Sequence, residues 1–222
     1  MPVPEADTLF QSPDAPGDEP VDVRQRILMA ATELFGRQGY SATSVREVVA
    51  HAGVTKPTLY YYFANKEALF SEAVKMQFDG LQALIGSLID PAVPLPADGQ
   101  GFVASRIAAF LDVYVRGAVD NPDTVRLMMT ATAPTDASQP RVVTVSRFLE
   151  ELSRLSRLFE IGIERGELRP DLDPNVAASL LAGAADFWMM VGLHRVVDGE
   201  TDPLPADFPA PIVNTLLKGL VP

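Results

Sequence analysis

The side chains best suited to chemistry in this sequence lie on one face of a short predicted helix, residues 56–62. The outward positions carry a charge, hydroxyl groups and aromatic rings: Lys56, Thr58, Tyr61 and Tyr62. Leu59 and Phe63, four residues apart, form the opposite and apolar face. Lysine, threonine and tyrosine side chains bind phosphate oxygens, and hydroxyl groups also reach base edges. The pattern therefore predicts a surface that binds nucleic acid.

Catalytic and metal-binding patterns are missing from the sequence. His51 and His194 are the only histidines, and neither has a carboxylate beside it at metal-ligand spacing. The sequence contains no glycine-rich phosphate loop and no nucleophile elbow. With no cysteine, neither a disulfide nor a thiolate metal site can form. We therefore expect no enzymatic activity, no metal and no cofactor.

A second short helix, residues 45–52, precedes the first and shares a turn with it. Its apolar face repeats at helical spacing: Val45, Val48, Val49 and Ala52. Ser44 is the predicted N-cap, and Glu47 three residues later completes a capping box. Gly53 ends this helix, Thr55 caps the next one, and Pro57 occupies its first turn. Two short helices joined by a glycine-containing turn form a helix-turn-helix, whose second helix fits a DNA major groove.

Residues 26–70, RILMAATELFGRQGYSATSVREVVAHAGVTKPTLYYYFANKEALF, resemble the DNA-binding domain of the TetR family of transcriptional regulators. The resemblance covers about a fifth of the chain. It is carried by the ILMAATELF helix and by five short motifs: Gly39-Tyr40, Thr43-Ser44-Val45, Ala52-Gly53-Val54, Leu59-Tyr60-Tyr61-Tyr62-Phe63 and Asn65-Lys66-Glu67.

The resemblance also implies which residues contact double-stranded operator DNA. Five side chains would bind mainly phosphates: Arg46, Lys56, Tyr61, Tyr62 and Lys66. Thr58 would approach base edges, while Ser44 and Thr55 would cap their helices and reach phosphates. We expect Tyr60 to be half-buried and Arg24 to be solvated.

The net charge of −11 is unevenly distributed along the chain. Residues 1–21 carry −5, and residues 67–222 carry −9. Residues 22–66 carry +3, and their six basic residues are Arg24, Arg26, Arg37, Arg46, Lys56 and Lys66. A basic segment on an acidic chain suits a protein that touches DNA at one end.

Segments of helical periodicity separated by proline and glycine predict an all-α fold in three parts. Residues 1–21, acidic and rich in proline, form a disordered or loosely ordered arm. Residues 22–66 form a three-helix DNA-binding domain, in which Gly39 ends the first helix. Residues 67–222 form a larger helical domain for effector binding and dimerisation. Its helices are expected at residues 65–90, 102–119, 124–131, about 25 residues before Gly166, 174–196 and 212–220.

The apolar segment 176–193 is interrupted by Ser179 and Asp186, and the N-terminus lacks a signal-peptide pattern. We expect this segment to be a buried helix of a cytoplasmic protein that does not enter a membrane.

The resemblance implies a homodimer whose large domain binds an effector, and the residues suggest a small hydrophobic one. The candidate ligand-binding residues are aromatic or sulfur-containing: Phe78, Phe110, Tyr114, Met128, Phe148 and Trp188. The candidate dimer residues are Leu181, Ala185, Met189, Val213, Leu216 and Leu217. The alternative interpretation is a helical ligand- or protein-binding module without specific DNA binding.

Overall fold

The computed structural model describes residues 22–93, 101–134, 137–142, 145–197, 204–205 and 207–218, with the side chains of 145–148 and 197 left out. Helices account for almost all of these residues, and none of them lies in a strand, which confirms the predicted all-α fold. The helices are α1 (Val23–Ala42), α2 (Val45–His51), α3 (Lys56–Tyr62), α4 (Lys66–Ile89), α5 (Phe102–Asp120), α6 (Pro122–Thr132), α7 (Val145–Glu164), α8 (Pro174–Val197) and α9 (Ala210–Lys218).

The chain packs into two compact units that do not follow the sequence in a simple order. Of the described residues, the first unit comprises 22–81, 121–134 and 137–142. The second comprises 82–93, 101–120, 145–197, 204–205 and 207–218. The division by packing thus differs from the boundary at residue 66 that the sequence suggested, because α6 joins the helix-turn-helix.

The core of the first unit is built from α1 to α4 together with α6. Leu59 of α3 has no exposed surface, and neither does Leu127 of α6. Phe35 and Phe70 meet edge to face with ring centroids 5.1 Å apart. Tyr40 packs edge-on against Phe70 at the same centroid distance. Each short helix buries too little apolar surface to be stable alone, so this shared core stabilises the helix-turn-helix.

Helix α6 approaches α1 so closely that a glycine is required at the contact. A Cβ added to Gly36 would lie 2.0 Å from the carbonyl oxygen of Asp123. Beside this contact, Arg37 Nε donates to Asp123 Oδ2 at 2.8 Å. Backbone atoms cannot yield as the end of a flexible side chain can, so Gly36 sets the distance between the two helices.

The second unit contains the C-terminal part of α4 with α5, α7, α8 and α9. Ile107, Phe159 and Leu181 are fully buried in it. The guanidinium of Arg106 is buried and donates to the carbonyls of Leu88, at 2.6 Å, and Val93, at 3.0 Å. The first of these carbonyls lies in the last turn of α4, where no intrahelical donor is available. Arg106 therefore caps that helix and holds the residues after it.

Helix α8 is apolar on two faces but buries only one of them. The segment Pro174–Val196 is long and apolar enough to cross a membrane by length and composition, and 33% of its 18-residue apolar stretch is buried. Its exposed face carries large apolar side chains at spacings of four, seven and three residues: Val176, Leu180, Phe187 and Met190. The expectation of a buried helix is therefore wrong, because one face of α8 has no cover among the described residues.

We predict that Gly36→Ala destabilises the protein by about 1–3 kcal/mol, the usual cost of overpacking. The new methyl group forces α1 and α6 apart at a backbone contact. Thermal unfolding followed by circular dichroism measures the effect. The matched control is Gly86→Ala in α4, where the added Cβ meets nothing within 4 Å. Alanine there is expected to stabilise the helix by up to about 1 kcal/mol. Equal stability of Gly36→Ala and wild type would contradict the role given to Gly36.

Candidate nucleic-acid interface

The N-terminus of α2 is fixed by reciprocal hydrogen bonds between Ser44 and Glu47. The Glu47 backbone N–H donates to Ser44 Oγ at 3.2 Å, and the Ser44 backbone N–H donates to Glu47 Oε2 at 2.7 Å. The predicted capping box is therefore present. Hydrogen bonds with Ser44 lower the pKa of the Glu47 carboxyl, which keeps it ionised at neutral pH. The cap contributes stability that is lost only as the pH falls through this lowered pKa.

The turn between α2 and α3 has the geometry that its residues predict. Gly53 has φ = 63°, a left-handed conformation that glycine adopts without strain. Thr55 Oγ1 accepts a hydrogen bond from the Thr58 backbone N–H at 3.3 Å, so Thr55 caps α3. The hydroxyl groups of Thr55 and Thr58 also lie 2.8 Å apart. One hydrogen-bonded pair therefore orients the hydroxyl that was predicted to approach base edges.

The side chains of α3 and of Phe63, which follows it, divide sharply by exposure. Leu59 and Phe63 are buried, whereas Tyr61 is 83% exposed. The rings of Tyr61 and Tyr62 meet edge to face at 4.9 Å. Tyr60 is 50% exposed and Tyr62 36%, so Tyr60 is half-buried, as expected of it. Three successive tyrosine rings thus line the outer side of α3.

Lys66 begins α4 close to the end of α1. Its Nζ lies 4.3 Å from the centroid of the Tyr40 ring and 3.4 Å from the carbonyl oxygen of Ser41. Asn65 Oδ1 accepts a hydrogen bond from the Ala68 backbone N–H at 2.7 Å, which caps the helix. The cationic group is therefore held at a helix N-terminus, where the helix dipole also favours a bound anion.

The six basic residues of the 22–66 segment are not equally available to phosphates. Arg24, expected on a solvated face, is 43% exposed there and forms a 2.7 Å ion pair with Glu72. Arg37 contacts both Glu33 and Asp123. By contrast, three exposed cations have no carboxylate partner among the described residues: Arg26, Arg46 and Lys56. These unpaired cations are the ones free to neutralise DNA phosphates.

A series of side-chain hydrogen bonds and ion pairs joins α2, α1 and α6 within the first unit. His51 Nε2 lies 2.8 Å from Glu33 Oε2, and Glu33 Oε1 contacts Arg37 at 2.7 Å. Asp123 receives both Arg37, at 2.8 Å, and Arg126, at 3.0 Å. Sequence reasoning missed this series because no local pattern signals a contact between residues 37 and 123. Each exposed pair of this kind contributes little to the free energy of unfolding. Their main effect is on the orientation of the helices relative to one another.

The candidate ligand-binding residues fall in different units. Phe78 is buried in the core of the first unit, and Met128 packs partly buried against the same core. Phe110, Tyr114 and Trp188 belong to the second unit, and the Phe148 side chain lies outside the described residues. Phe78 therefore packs in the core of the helix-turn-helix unit. The expectation that it lines a ligand site in the large domain is wrong.

The second unit does bring aromatic side chains together. The Phe110 and Tyr114 rings stack with centroids 5.3 Å apart, and Tyr114 Oη donates to Asp186 Oδ1 at 2.8 Å. Trp188 lies 6.0 Å from the ring of Phe208. Burial, followed by the nearby Asp186 carboxylate, raises the pKa of Tyr114 well above its usual range. Its phenol is therefore protonated, and a donor, at any pH near neutral.

The candidate dimer residues separate into buried and accessible positions. Leu181, Ala185 and Val213 are buried within their own chain, so their side chains have no surface to offer a partner. Met189, Leu216 and Leu217 are partly exposed. Helical spacing cannot say which of two apolar faces turns inward, and the structure turns Leu181 inward and its neighbour Leu180 outward.

Comparisons with known proteins agree with this geometry. Residues 27–73 match the family model described as bacterial regulatory proteins, tetR family. The HTH-type transcriptional regulator YfiR of Bacillus subtilis is 31% identical over 156 residues, which are 67% of this chain and 70% of that protein. The HTH-type transcriptional repressor KstR2 of Mycobacterium tuberculosis is 26% identical over 78% of this chain and 81% of its own.

A solved structure extends the similarity to the fold. The putative fatty acid metabolism regulator of Clostridium perfringens superposes with a TM-score of 0.67. The alignment covers 89% of this chain and 99% of that one at 19% sequence identity. At this identity the similarity establishes the fold and not the ligand.

We predict that Tyr61→Ala weakens DNA binding about tenfold, or about 1.4 kcal/mol, without destabilising the protein. The ring is 83% exposed and contacts chiefly Tyr62, so its removal leaves the core intact. Fluorescence anisotropy with a labelled duplex measures affinity, and thermal unfolding measures stability. Phe63→Ala is the contrasting variant, since removal of this buried ring costs about 3–5 kcal/mol. Unchanged DNA affinity in Tyr61→Ala would remove Tyr61 from the interface.

Proposed function

The chain belongs to the TetR family of transcriptional regulators, and we propose that it is a cytoplasmic repressor that a small hydrophobic effector releases from DNA. It binds a pseudo-palindromic operator in double-stranded DNA as a homodimer. The mycobacterial relative KstR2 is named a repressor, which supports the direction of control.

One observation carries the DNA-binding proposal: a doubly capped helix-turn-helix with an exposed and unneutralised outer face. Leu59 anchors α3 in the core, while Tyr61 and Lys56 project from it. A helical module that does not bind DNA requires helix caps and a buried core in order to fold. Unpaired cations beside exposed tyrosines contribute nothing to its folding. This difference favours the regulator over the alternative of a binding module.

The exposed stripe on α8 supports the homodimer. Leu180 and Phe187 are each 57% exposed, with Gly183 between them and open space where its Cβ would be. Leu149 of α7 is 60% exposed. Side chains spaced alternately by three and four residues form the seam of paired helices, and a glycine in the seam allows close approach. Burial of each such side chain contributes roughly 1 kcal/mol.

We predict that the wild-type chain is a dimer that binds an operator next to its own gene, with half-sites about 34–36 Å apart. The affinity falls steeply with salt, because neutralised phosphates release counterions. Nuclease protection locates the operator, and anisotropy compares it with a random duplex. Equal affinity for both duplexes, or a flat salt response, would favour the binding module instead.

Leu180→Glu tests the role of the dimer in the same assay. A dimer would have to bury two unpaired carboxylates, so this variant is expected to be monomeric and folded, with most operator affinity lost. Met129→Glu is the control, since it places the same charge on an exposed apolar residue outside the stripe. Sedimentation showing a monomeric wild type, or a dimeric Leu180→Glu, would contradict the assigned interface.

The second unit supplies the proposed effector site, around the stacked rings of Phe110 and Tyr114. An effector with an apolar body packs against these rings, and one polar group of the effector exchanges hydrogen bonds with Tyr114 or Asp186. The Clostridium protein is named a fatty acid metabolism regulator, and KstR2 a ketosteroid transcriptional regulator. Fatty acids and ketosteroids are therefore the first compounds to screen.

Helix α4 is the proposed link between effector and operator. It runs without interruption from Lys66 to Ile89, and the boundary between the two units falls within it after Leu81. Lys66 lies at its N-terminus among the DNA-contacting residues, while Leu84 and Leu88 are buried in the second unit. A continuous helix that belongs to both sites meets the physical requirement for coupling them.

We predict an effector–operator coupling of about 1–3 kcal/mol, or roughly 5- to 150-fold in affinity. Linkage requires operator DNA to weaken effector binding by the same factor. A compound found by thermal shift is titrated with and without operator. Tyr114→Phe, which retains the ring and loses one hydrogen bond, is expected to weaken the effector about two- to tenfold and to leave operator affinity unchanged. Equal effector affinity in both titrations would show that the sites are uncoupled.

A further inference from the structure

Residues 137–142 are held against the helix-turn-helix unit although they lie far from it in sequence. Ser138 Oγ lies 2.7 Å from Ser41 Oγ at the end of α1. Gln139 is buried, and its Nε2 donates to the Thr130 carbonyl at 2.7 Å. Val142 packs partly buried against the core of the first unit. Three contacts of different kinds therefore fix this loop.

The anchor point of the loop adjoins the candidate DNA interface. Ser41 lies three residues before Ser44, the N-cap of α2, and consecutive Cα atoms are about 3.8 Å apart. The Ser41 carbonyl oxygen is also 3.4 Å from Lys66 Nζ. Ser44 and Lys66 are two of the residues assigned to the DNA backbone. The loop consequently lies at the edge of that interface.

Arg141 is the charged residue of this loop. It is exposed, and within the part of the chain that the structure describes it has no carboxylate partner. Arg37 and Arg126 of the same unit are both bound to Asp123. Arg141 therefore joins Arg26, Arg46 and Lys56 as an exposed cation that this unit does not neutralise. On a chain of net charge −11, such cations are where a phosphate backbone is attracted.

We propose that the loop of residues 137–142 is a further DNA-contacting element, in which Arg141 binds a backbone phosphate flanking each half-site. The inference rests on the proposed function as an operator-binding protein. A guanidinium forms charge-assisted hydrogen bonds with phosphate oxygens and reads no base by doing so. Arg141 thus adds affinity and fixes the position of the dimer on the duplex, and it widens the protected segment beyond the reach of α3.

The test compares Arg141→Gln with Arg154→Gln in the full-length chain. Arg154 is also an exposed arginine without a carboxylate partner in the described residues, but it lies on α7 in the second unit. Both variants remove one charge, so net charge is matched. Operator affinity is measured by anisotropy over a salt series, on one duplex with flanking base pairs and on another trimmed to the half-sites.

Arg141→Gln is expected to weaken binding to the flanked duplex about tenfold and to reduce the salt slope by about two, one phosphate for each protomer. On the trimmed duplex it should equal wild type, and Arg154→Gln should equal wild type on both. Ser138→Ala, which removes the anchor and keeps the arginine, should give a smaller loss on the flanked duplex with unchanged thermal stability.

Two results would overturn the inference and leave the proposed function standing. One is a wild type that binds the operator specifically, with Arg141→Gln showing the same affinity and salt slope. The other is an equal loss on the flanked and trimmed duplexes, which would place Arg141 away from the flank. If the wild type itself does not distinguish operator from random duplex, the proposed function fails and this inference fails with it.

Discussion

The approach of the Asp123 carbonyl to Gly36 is the contact on which the arrangement of the first unit depends. At this distance no side chain fits between α1 and α6, so the backbone of α6 at Asp123 packs directly against the backbone of α1 at Gly36. Leu127 of α6 can then reach the core that holds Leu59 of α3. The DNA-facing helix is thus positioned by a core to which a segment some 60 residues further along the chain contributes. A change at α6 is therefore felt by the helix-turn-helix directly, through packing that has little room to relax.

Electrostatic pairing divides the cations of this unit by role. Arg24, Arg37 and Arg126 are bound to carboxylates on neighbouring segments and orient helices relative to one another. The exposed cations without such partners are left to attract an anion. In an acidic protein this selection matters more than the number of basic residues, because a paired guanidinium must give up its carboxylate before it binds phosphate. The net charge of a segment therefore overstates what it offers to DNA.

The second unit exposes a stripe of apolar side chains on α8. Exposed Leu180 and Phe187 on α8 continue a stripe that, in water, is more stable when covered. Length and composition alone allow this helix to be a membrane span, yet its other face is packed with buried alanines and leucine inside the chain. In the proposed homodimer, a partner copy that presents the same stripe covers the exposed face without moving the helix from its core. The same helix would then serve both the fold of the second unit and the proposed dimer.

The sequence by itself determined the local structure of the helix-turn-helix. Capping by Ser44 and Thr55, the turn at Gly53, and the burial of Leu59 and Phe63 all depend on residues within a few positions of one another. Such features follow from backbone geometry and helical period, which a sequence displays directly.

Only the tertiary structure decided which faces turned inward and which distant segments met. Helix α8 has two apolar faces, and period alone could not tell that Leu181 is buried while Leu180 is exposed. Phe78 was equally compatible with either core, and it joined the first. The contacts of Asp123 with α1 and of Ser138 with Ser41 leave no periodic trace. They depend on how completed helices pack, where shape and charge are matched between residues that the chain keeps far apart.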